Sequence, residues 1–319
     1  MDFDKVCVIL PCYNESSSLK YTVDQIRKVS KKIEILVINN ASTDKTAEVA
    51  RKLGLKVVNE NKKGKGFAVR KGFSSLSYRT ETIVLVDADD TYDLSDISKA
   101  IKLVSGEGYD MAVGNRVQNS KNPIGRGEAF RKGHKLGNYL LSNINNMLHP
   151  AGIKDTLSGY RVFSRGFTES FTGGASGFEI EAELNAHASF MKMAVANFNV
   201  KYLGRRKGSI SKLNTYRDGL KILVMNFKIF RTYRPKLAYS ILALFWLFVS
   251  ISLSFNPVKT YLETGSVPRF PSLIAGVGAF IVATQLWNTG MVLDRIKVAH
   301  LSLCRIAYNR KLVPNYYVD

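Results

Sequence analysis

The chain predicts an α/β domain with a mostly parallel sheet, followed by an interfacial amphipathic helix and a two-helix transmembrane hairpin. Three observations predict this. Short apolar runs alternate with stretches of helical spacing through the first 215 residues, the rhythm of strand–helix units. Clusters of acids and amides follow those runs, at the strand ends where such sheets bind ligands. Two apolar runs near the C-terminus, Leu237–Ser254 and Leu273–Leu293, match the length a helix needs to cross a ~30 Å hydrocarbon core.

The elements follow in order. Val6–Leu10 is apolar and closed by Pro11, a strand and then a loop. Ser18–Val29 has helical spacing, and Ile33–Ile38 is strand-like. Thr43–Leu53 reads as a helix capped near Ser42 or Thr43, and Lys56–Asn59 as a third strand. Gly64–Leu76 is helical after a Gly-Lys-Gly entry, and Thr82–Val86 is a strand that ends in acids. Leu94–Val104 is a helix and Met111–Val113 a strand. From Tyr216 to Arg234, Leu220, Leu223, Val224, Phe227 and Phe230 share one face with lysines and arginines elsewhere, as in a helix lying at a membrane interface. The expected divisions are 1–215 for the α/β domain, 216–236 for the interfacial helix, 237–293 for the hairpin and 294–319 for a C-terminal juxtamembrane segment.

The formal net charge is +20, from 46 Lys and Arg against 26 Asp and Glu. In a chain with two spans, such an excess points to anionic headgroups and phosphate-bearing substrates, and away from nucleic acid. Cys7, Cys12 and Cys304 have neither metal nor disulfide spacing and read as reduced thiols. The first five residues do not read as a signal peptide. Basic residues flank the outer ends of both spans, while the loop Phe255–Ser272 holds only Lys259 and Arg269. By the positive-inside rule, the α/β domain and both termini are expected in the cytoplasm, with the protein integral to the cytoplasmic membrane.

The sharpest chemical signal is Asp87-Ala-Asp89 at the end of a buried strand. Two carboxylates so spaced suit a nucleotide ribose and a divalent cation on its diphosphate, because Mg²⁺ prefers one or two carboxylates plus phosphates and water. Acids after a strand also commonly cap the next helix, so the pair gains meaning from its context.

That context is an ordered set: Pro11-Cys-Tyr13-Asn14-Glu15, Asn39-Asn40-Ala41-Ser42, Gly64-Lys65-Gly66, Asp87-Ala-Asp89, Gly114-Asn-Arg116, Asp155-Thr-Leu-Ser-Gly159-Tyr-Arg161 and Arg206-Lys-Gly-Ser-Ile-Ser211-Lys212. It resembles the family-2 glycosyltransferases of the GT-A fold, in particular the polyprenyl-phosphate glycosyltransferases. The resemblance implies a GT-A domain that transfers a hexose, with inversion, from a nucleotide sugar to a membrane polyprenyl phosphate. It implies that Pro11, Tyr13, Asn14, Glu15, Asn39, Asn40, Lys65 and Asp87 bind the nucleotide sugar. Asp87 and Asp89 would hold Mg²⁺ or Mn²⁺. Asp89, Asp155 and Arg161 would be catalytic, and Arg116, Arg131, Arg206, Ser211 and Lys212 would receive the acceptor phosphate. A homo-oligomer, up to a tetramer, is also implied, and Gly276, Gly278 and Gly290 are candidates for close contacts between protomers.

Two departures matter. The family commonly has Asp-Asp-Gly-Ser where this chain has Asn39-Asn40-Ala41-Ser42, and several mannose synthases have Leu-Gln where it has Asp90-Thr91. The first weakens the reading of base identity, and the second that of a third metal ligand. Lys65-Gly66 resembles the dolichyl-phosphate glucose synthases, which favours UDP-glucose over UDP-GlcNAc, UDP-galactose or GDP-mannose. The acceptor, undecaprenyl or dolichyl phosphate, needs little activation, because a phosphate monoester with a second pKa near ~6 is already largely dianionic at neutral pH. Two rivals stand beside this reading. A polysaccharide synthase would usually carry Gln-X-X-Arg-Trp and more spans, and neither occurs here. A membrane-anchored scaffold with a degenerate fold would not need both Asp87 and Asp89.

Overall fold

The computed structural model describes residues 2–117, 152–203, 224, 227, 228, 230–267 and 269–309. They fall into two compact units, one of residues up to 226 together with those from 304 onward, the other Phe227–Leu303.

In the first unit, β1 (Val6–Cys12), α1 (Leu19–Val29), β2 (Glu34–Asn40), α2 (Thr46–Lys52), β3 (Lys56–Glu60), α3 (Lys65–Ser74), β4 (Thr82–Leu85), α4 (Ile97–Ser105) and β5 (Met111–Val117) follow in order. After residue 152 come β6 (Arg161–Ser164), α5 (Arg165–Ser170), α6 (Ile180–Met191) and β7 (Val195–Lys201). The sheet order is β3-β2-β1-β4-β6-β5-β7. Pairings are parallel except for β6, which runs antiparallel to both β4 and β5. The expected GT-A arrangement, an α/β fold with a mostly parallel sheet, is the one observed.

Both sheet faces are covered, so β1 and β2 are apolar on both sides rather than alternating. Val6, Val8 and Leu10 join Leu19, Val23 and Ile26 of α1 and Ile97 and Ile101 of α4 in one core. Each such side chain contributes about 1.5–3 kcal/mol on burial. On the opposite face, α3 approaches closely because Gly72 lacks a Cβ, which would sit 2.7 Å from the Ile9 side chain. The reversed β6 has a direct consequence for the site. It enters the sheet at the edge where the parallel strands end, and pairs Arg161 with Leu85 and Val113. The Asp155–Tyr160 loop before it therefore lies beside the carboxyl end of β4.

The second unit is built from two long helices, α7 (Pro235–Thr264) and α8 (Phe270–Asn309), the last turns of α8 belonging to the first unit. Both are long and apolar enough to cross a membrane. They extend well past the expected spans, because the hydropathy that marks a span ends before the helical hydrogen bonding does. The segment expected as a long loop after residue 254 is thus mostly helix, and the juxtamembrane segment expected from residue 294 continues α8 as far as Asn309. The interfacial helix expected at 216–236 falls largely outside the described residues. Gly276 sits against Ser250 and Ser254, and Gly290 against Tyr239. Ser250 donates to the Gly276 carbonyl at 2.8 Å, and Ser272 to that of Leu253 at 2.8 Å. These two glycines, expected at a contact between protomers, serve the hairpin's own packing. Gly278 has nothing within 4 Å of where its Cβ would be.

Candidate active site

The ends of β1, β2 and β4 each carry a non-glycine residue in the left-handed region: Asn14 (φ 55°), Ala41 (φ 52°) and Asp90 (φ 58°). An L-residue held there costs roughly 1–2 kcal/mol, so surrounding bonds must impose it. They do. The Asn14 amide donates to Ser42 Oγ at 3.1 Å, and its side-chain oxygen accepts from the Thr43 amide at 2.8 Å. The Glu15 amide donates to Thr46 Oγ1 at 2.9 Å and the Ser16 amide to Asp44 at 3.2 Å. Asp90 accepts from Gln25 of α1 at 2.7 Å. The first two loops are thereby tied together, and Asn14, expected at the nucleotide, spends its side chain on that tie.

The two asparagines after β2 divide their work. Asn40 is buried, donates to the Lys62 carbonyl at 2.7 Å and accepts from the Gly64 amide at 2.7 Å. It shapes the turn that delivers Lys65. Asn39 donates to Asn59 at 3.0 Å, while its own oxygen is buried with no partner among the described residues. That oxygen remains an acceptor for a base. Tyr13 accepts from Lys63 Nζ at 2.6 Å. Pro11 lies on β1, in register with Ile38.

At the centre, the Lys65 ammonium bridges two carboxylates, Asp87 at 2.6 Å and Glu181 at 2.8 Å. Its flanking glycines make this possible. A Cβ on Gly64 or Gly66 would run into the backbone of Ala175 and Ser176, and the Gly66 amide donates to the Ser176 carbonyl at 3.1 Å. A Cβ on Gly159 would overlap Asp87 Oδ2 and lie 3.0 Å from Lys65 Nζ. Burial works against the Lys65 charge, but the two carboxylates outweigh it and raise its pKa. Burial raises the Glu181 pKa, and Lys65 opposes this. The Tyr92 hydroxyl, pushed up to about 12 by burial and by Asp87, accepts from the Gly159 amide at 3.0 Å. Sequence reasoning did not single out Glu181. The three alternating acids Glu179, Glu181 and Glu183 look equivalent in the sequence; Glu181 and Glu183 are both buried, and the ion pair with Lys65 marks Glu181 out.

Asp155 and Arg116, expected in separate roles, pair with each other. Arg116 Nε and Nη2 donate to the two carboxylate oxygens at 2.7 and 2.8 Å. Burial pulls the Asp155 pKa up, but the Arg116 hydrogen bonds and charge and backbone amides bring it below the ordinary value. Arg161, expected at the reacting groups, is instead fully buried at 0 % exposure. Its guanidinium donates to the Ser158 carbonyl at 2.9 Å, the Thr156 carbonyl at 3.1 Å and Asn185 Oδ1 at 2.5 Å. It holds the Asp155–Gly159 loop from behind, so the geometry gives it a positioning place. Arg131, Arg206, Ser211 and Lys212 lie outside the described residues.

Asp87 and Asp89 follow the carboxyl end of β4. Asp89 Oδ1 accepts from the Thr91 hydroxyl at 2.6 Å. Among the described residues, no three His, Cys, Asp or Glu side chains gather into a preformed cage. A hard cation held by these two carboxylates would take its other ligands from a diphosphate and water, which suits Mg²⁺ or Mn²⁺. The donor set therefore fits the cation.

Comparison with known proteins bears on the family and the fold. The model of the glycosyl transferase family 2 domain matches residues 7–168. Glycosyltransferase AglJ of Haloferax volcanii is 29% identical over 232 residues, 73% of this chain and 74% of that protein. A dolichyl-phosphate hexose transferase of the same organism is 25% identical over 220 residues, 69% of this chain and 91% of its own length. Among solved structures, glucosyl-3-phosphoglycerate synthase of Mycobacterium tuberculosis, in complex with Mn²⁺, UDP and its product, superposes with a TM-score of 0.51. The identity is 22%, covering 70% of this chain and 77% of that one.

Proposed function

Because the chain belongs to glycosyl transferase family 2 and is a glycosyltransferase using a nucleotide-sugar donor, we propose that it transfers glucose from UDP-glucose to a polyprenyl monophosphate, undecaprenyl or dolichyl phosphate. The product is a β-linked polyprenyl-phosphate sugar. One observation carries this reading: a lysine-clamped Asp87-Ala-Asp89 donor site occurs in the same chain as two helices long and apolar enough to cross a membrane. A donor site so tethered is suited to an acceptor that resides in the bilayer. The likeness to a dolichyl-phosphate hexose transferase and the Gly64-Lys65-Gly66 entry support the acceptor and the sugar respectively.

In this reading, Asp87 and Asp89 hold Mg²⁺ or Mn²⁺, which neutralises charge growing on the departing diphosphate. Asn39 offers an acceptor to the base, and Tyr13, Pro11 and Glu15 line the nucleotide. The acceptor phosphate is already anionic, so the site has to align two mutually repelling phosphates more than to remove a proton. Arg116, fixed by Asp155, presents a charged fork for that purpose. Arg131, Arg206, Ser211 and Lys212 complete the acceptor side. Asp155, held ionised, orients Arg116. Arg161 positions the loop that carries Asp155 and Gly159. Preorganised charge of this kind supplies most of the rate acceleration. The catalytic unit and both ends of the hairpin face the cytoplasm of an inner-membrane protein that assembles as a homo-oligomer.

The test is to incubate the purified full-length protein with Mg²⁺ or Mn²⁺, undecaprenyl or dolichyl phosphate, and a panel of UDP- and GDP-sugars, and to weigh the lipid product. A lipid gaining one hexose from UDP-glucose is expected. A sugar transferred only to water-soluble acceptors, or no lipid product from any donor, would refute the reading.

A further inference from the structure

We propose that Glu181 binds a hydroxyl of the donor sugar and so sets which sugar is accepted, with Lys65 as the residue that positions it. The inference rests on the nucleotide-sugar reading and adds to it the group that senses the sugar. Glu181 lies in the first turn of α6, its side chain 6 % exposed. One carboxylate oxygen is fixed by Lys65 at 2.8 Å, while Oε2 is buried with no hydrogen-bond partner among the described residues. A buried carboxylate oxygen without a donor is costly, and a folded chain tolerates one where a ligand completes it.

The position identifies the ligand. The same ammonium that holds Glu181 is 2.6 Å from Asp87, so the two carboxylates are no further apart than these two ion pairs laid end to end. With the diphosphate at Asp87, the hexose attached to it falls within reach of Glu181. The missing partner is a neutral donor, because Lys65 already supplies the cation, and a sugar hydroxyl is the neutral donor a nucleotide sugar brings. Gly159, having no side chain, lets Asp87 and Lys65 lie directly against its backbone and so keeps them beside Glu181. The neighbouring acids are differently engaged. Glu183 accepts from the Ala175 amide at 2.8 Å, and Glu179 accepts from Ser176 at 3.4 Å.

The experiment is equilibrium binding of UDP, UDP-glucose and the monodeoxy analogues of UDP-glucose, with Mn²⁺, to the full-length protein and to its Glu181→Gln and Glu181→Ala variants. Losing a hydrogen bond to a charged acceptor should weaken UDP-glucose binding by about 10- to 100-fold and leave UDP within about threefold. One deoxy analogue should bind the wild type as weakly as UDP-glucose binds Glu181→Gln, and should lose nothing further in the variant. Parallel loss of UDP and UDP-glucose, or a deoxy series ranked identically in wild type and variant, would overturn the inference and leave Glu181 a partner of Lys65 only. A wild type that binds UDP-glucose no better than UDP, but binds another nucleotide sugar better, would refute the glucose assignment alone, and the deoxy series of that sugar then decides on Glu181. Wild type binding no nucleotide sugar would overturn both.

Discussion

Replacing Arg161 by methionine keeps much of the side-chain volume and removes a buried guanidinium that makes three hydrogen bonds to oxygen, at Ser158, Thr156 and Asn185, and a weaker one to the Met111 sulfur. Hydrogen bonds from a charged donor contribute about 1.5–3 kcal/mol each, less the cost of burying the charge. That cost is visible here, since burial pulls the Arg161 pKa down to about 10. The balance is a loss of about 2–4 kcal/mol, because the buried carbonyl of Ser158 and the Asn185 oxygen lose their donor. For a unit of this size, that lowers the midpoint by roughly 5–15 °C. Cys7 and Cys12 provide the readout. Both are buried in β1, and burial pushes the Cys7 thiol up to about 12, so a thiol-reactive dye labels them only on unfolding. The catalytic defect should be recovered in part by lowering the temperature. If Arg161→Met melts within 1 °C of wild type yet loses more than about a hundredfold in turnover, Arg161 touches the reacting groups and the positioning role is wrong.

Three further outcomes are expected. Ala41→Gly relieves a left-handed alanine, and after allowing for the added freedom of the unfolded chain should stabilise by about 0.5–1 kcal/mol, whereas Ala41→Val should destabilise; thermal melts of the three proteins decide. Asp155 has a pKa below its ordinary value, so its contribution to stability is present above ~3.9 and is lost as pH falls through the lower folded value. In Arg116→Met only backbone amides still oppose burial, and acid destabilisation should begin at higher pH; identical acid limbs for the two proteins would contradict the pairing. Asp89→Asn should abolish transfer and weaken Mn²⁺ binding seen by electron paramagnetic resonance while leaving the melting midpoint within a few degrees, and chelation should silence the wild type reversibly.

The sheet through β5 was legible because β1, β2 and β4 are buried on both faces and read as apolar runs, while β3 and the start of β5 were marked by short apolar stretches between helical segments. The reversed β6 was not, since Arg161-Val-Phe-Ser is four residues long and opens on a charge whose burial only the fold reveals. The same blindness affected the site. Arg161 and Arg116 look alike in the sequence, yet one faces carbonyls in the interior and the other a carboxylate at the cleft. Asp87 and Lys65 were found by their motifs. Glu181 was hidden in a row of alternating acids, and the available signal was the Gly173-Gly174-Ala175-Ser176-Gly177 segment before it, whose lack of bulk lets that backbone meet the glycines beside Lys65.

That main-chain seat between Gly64, Gly66 and Ala175–Ser176 also constrains how the protein can be altered. It couples segments more than a hundred positions apart by direct backbone contact, reinforced by Arg70, whose guanidinium donates to the Ala175 carbonyl, and by Glu183, which accepts from the Ala175 amide. Attempts to broaden donor choice by mutating around Lys65 will therefore meet rigidity at these glycines, and the pliable route to new sugars runs through the start of α6.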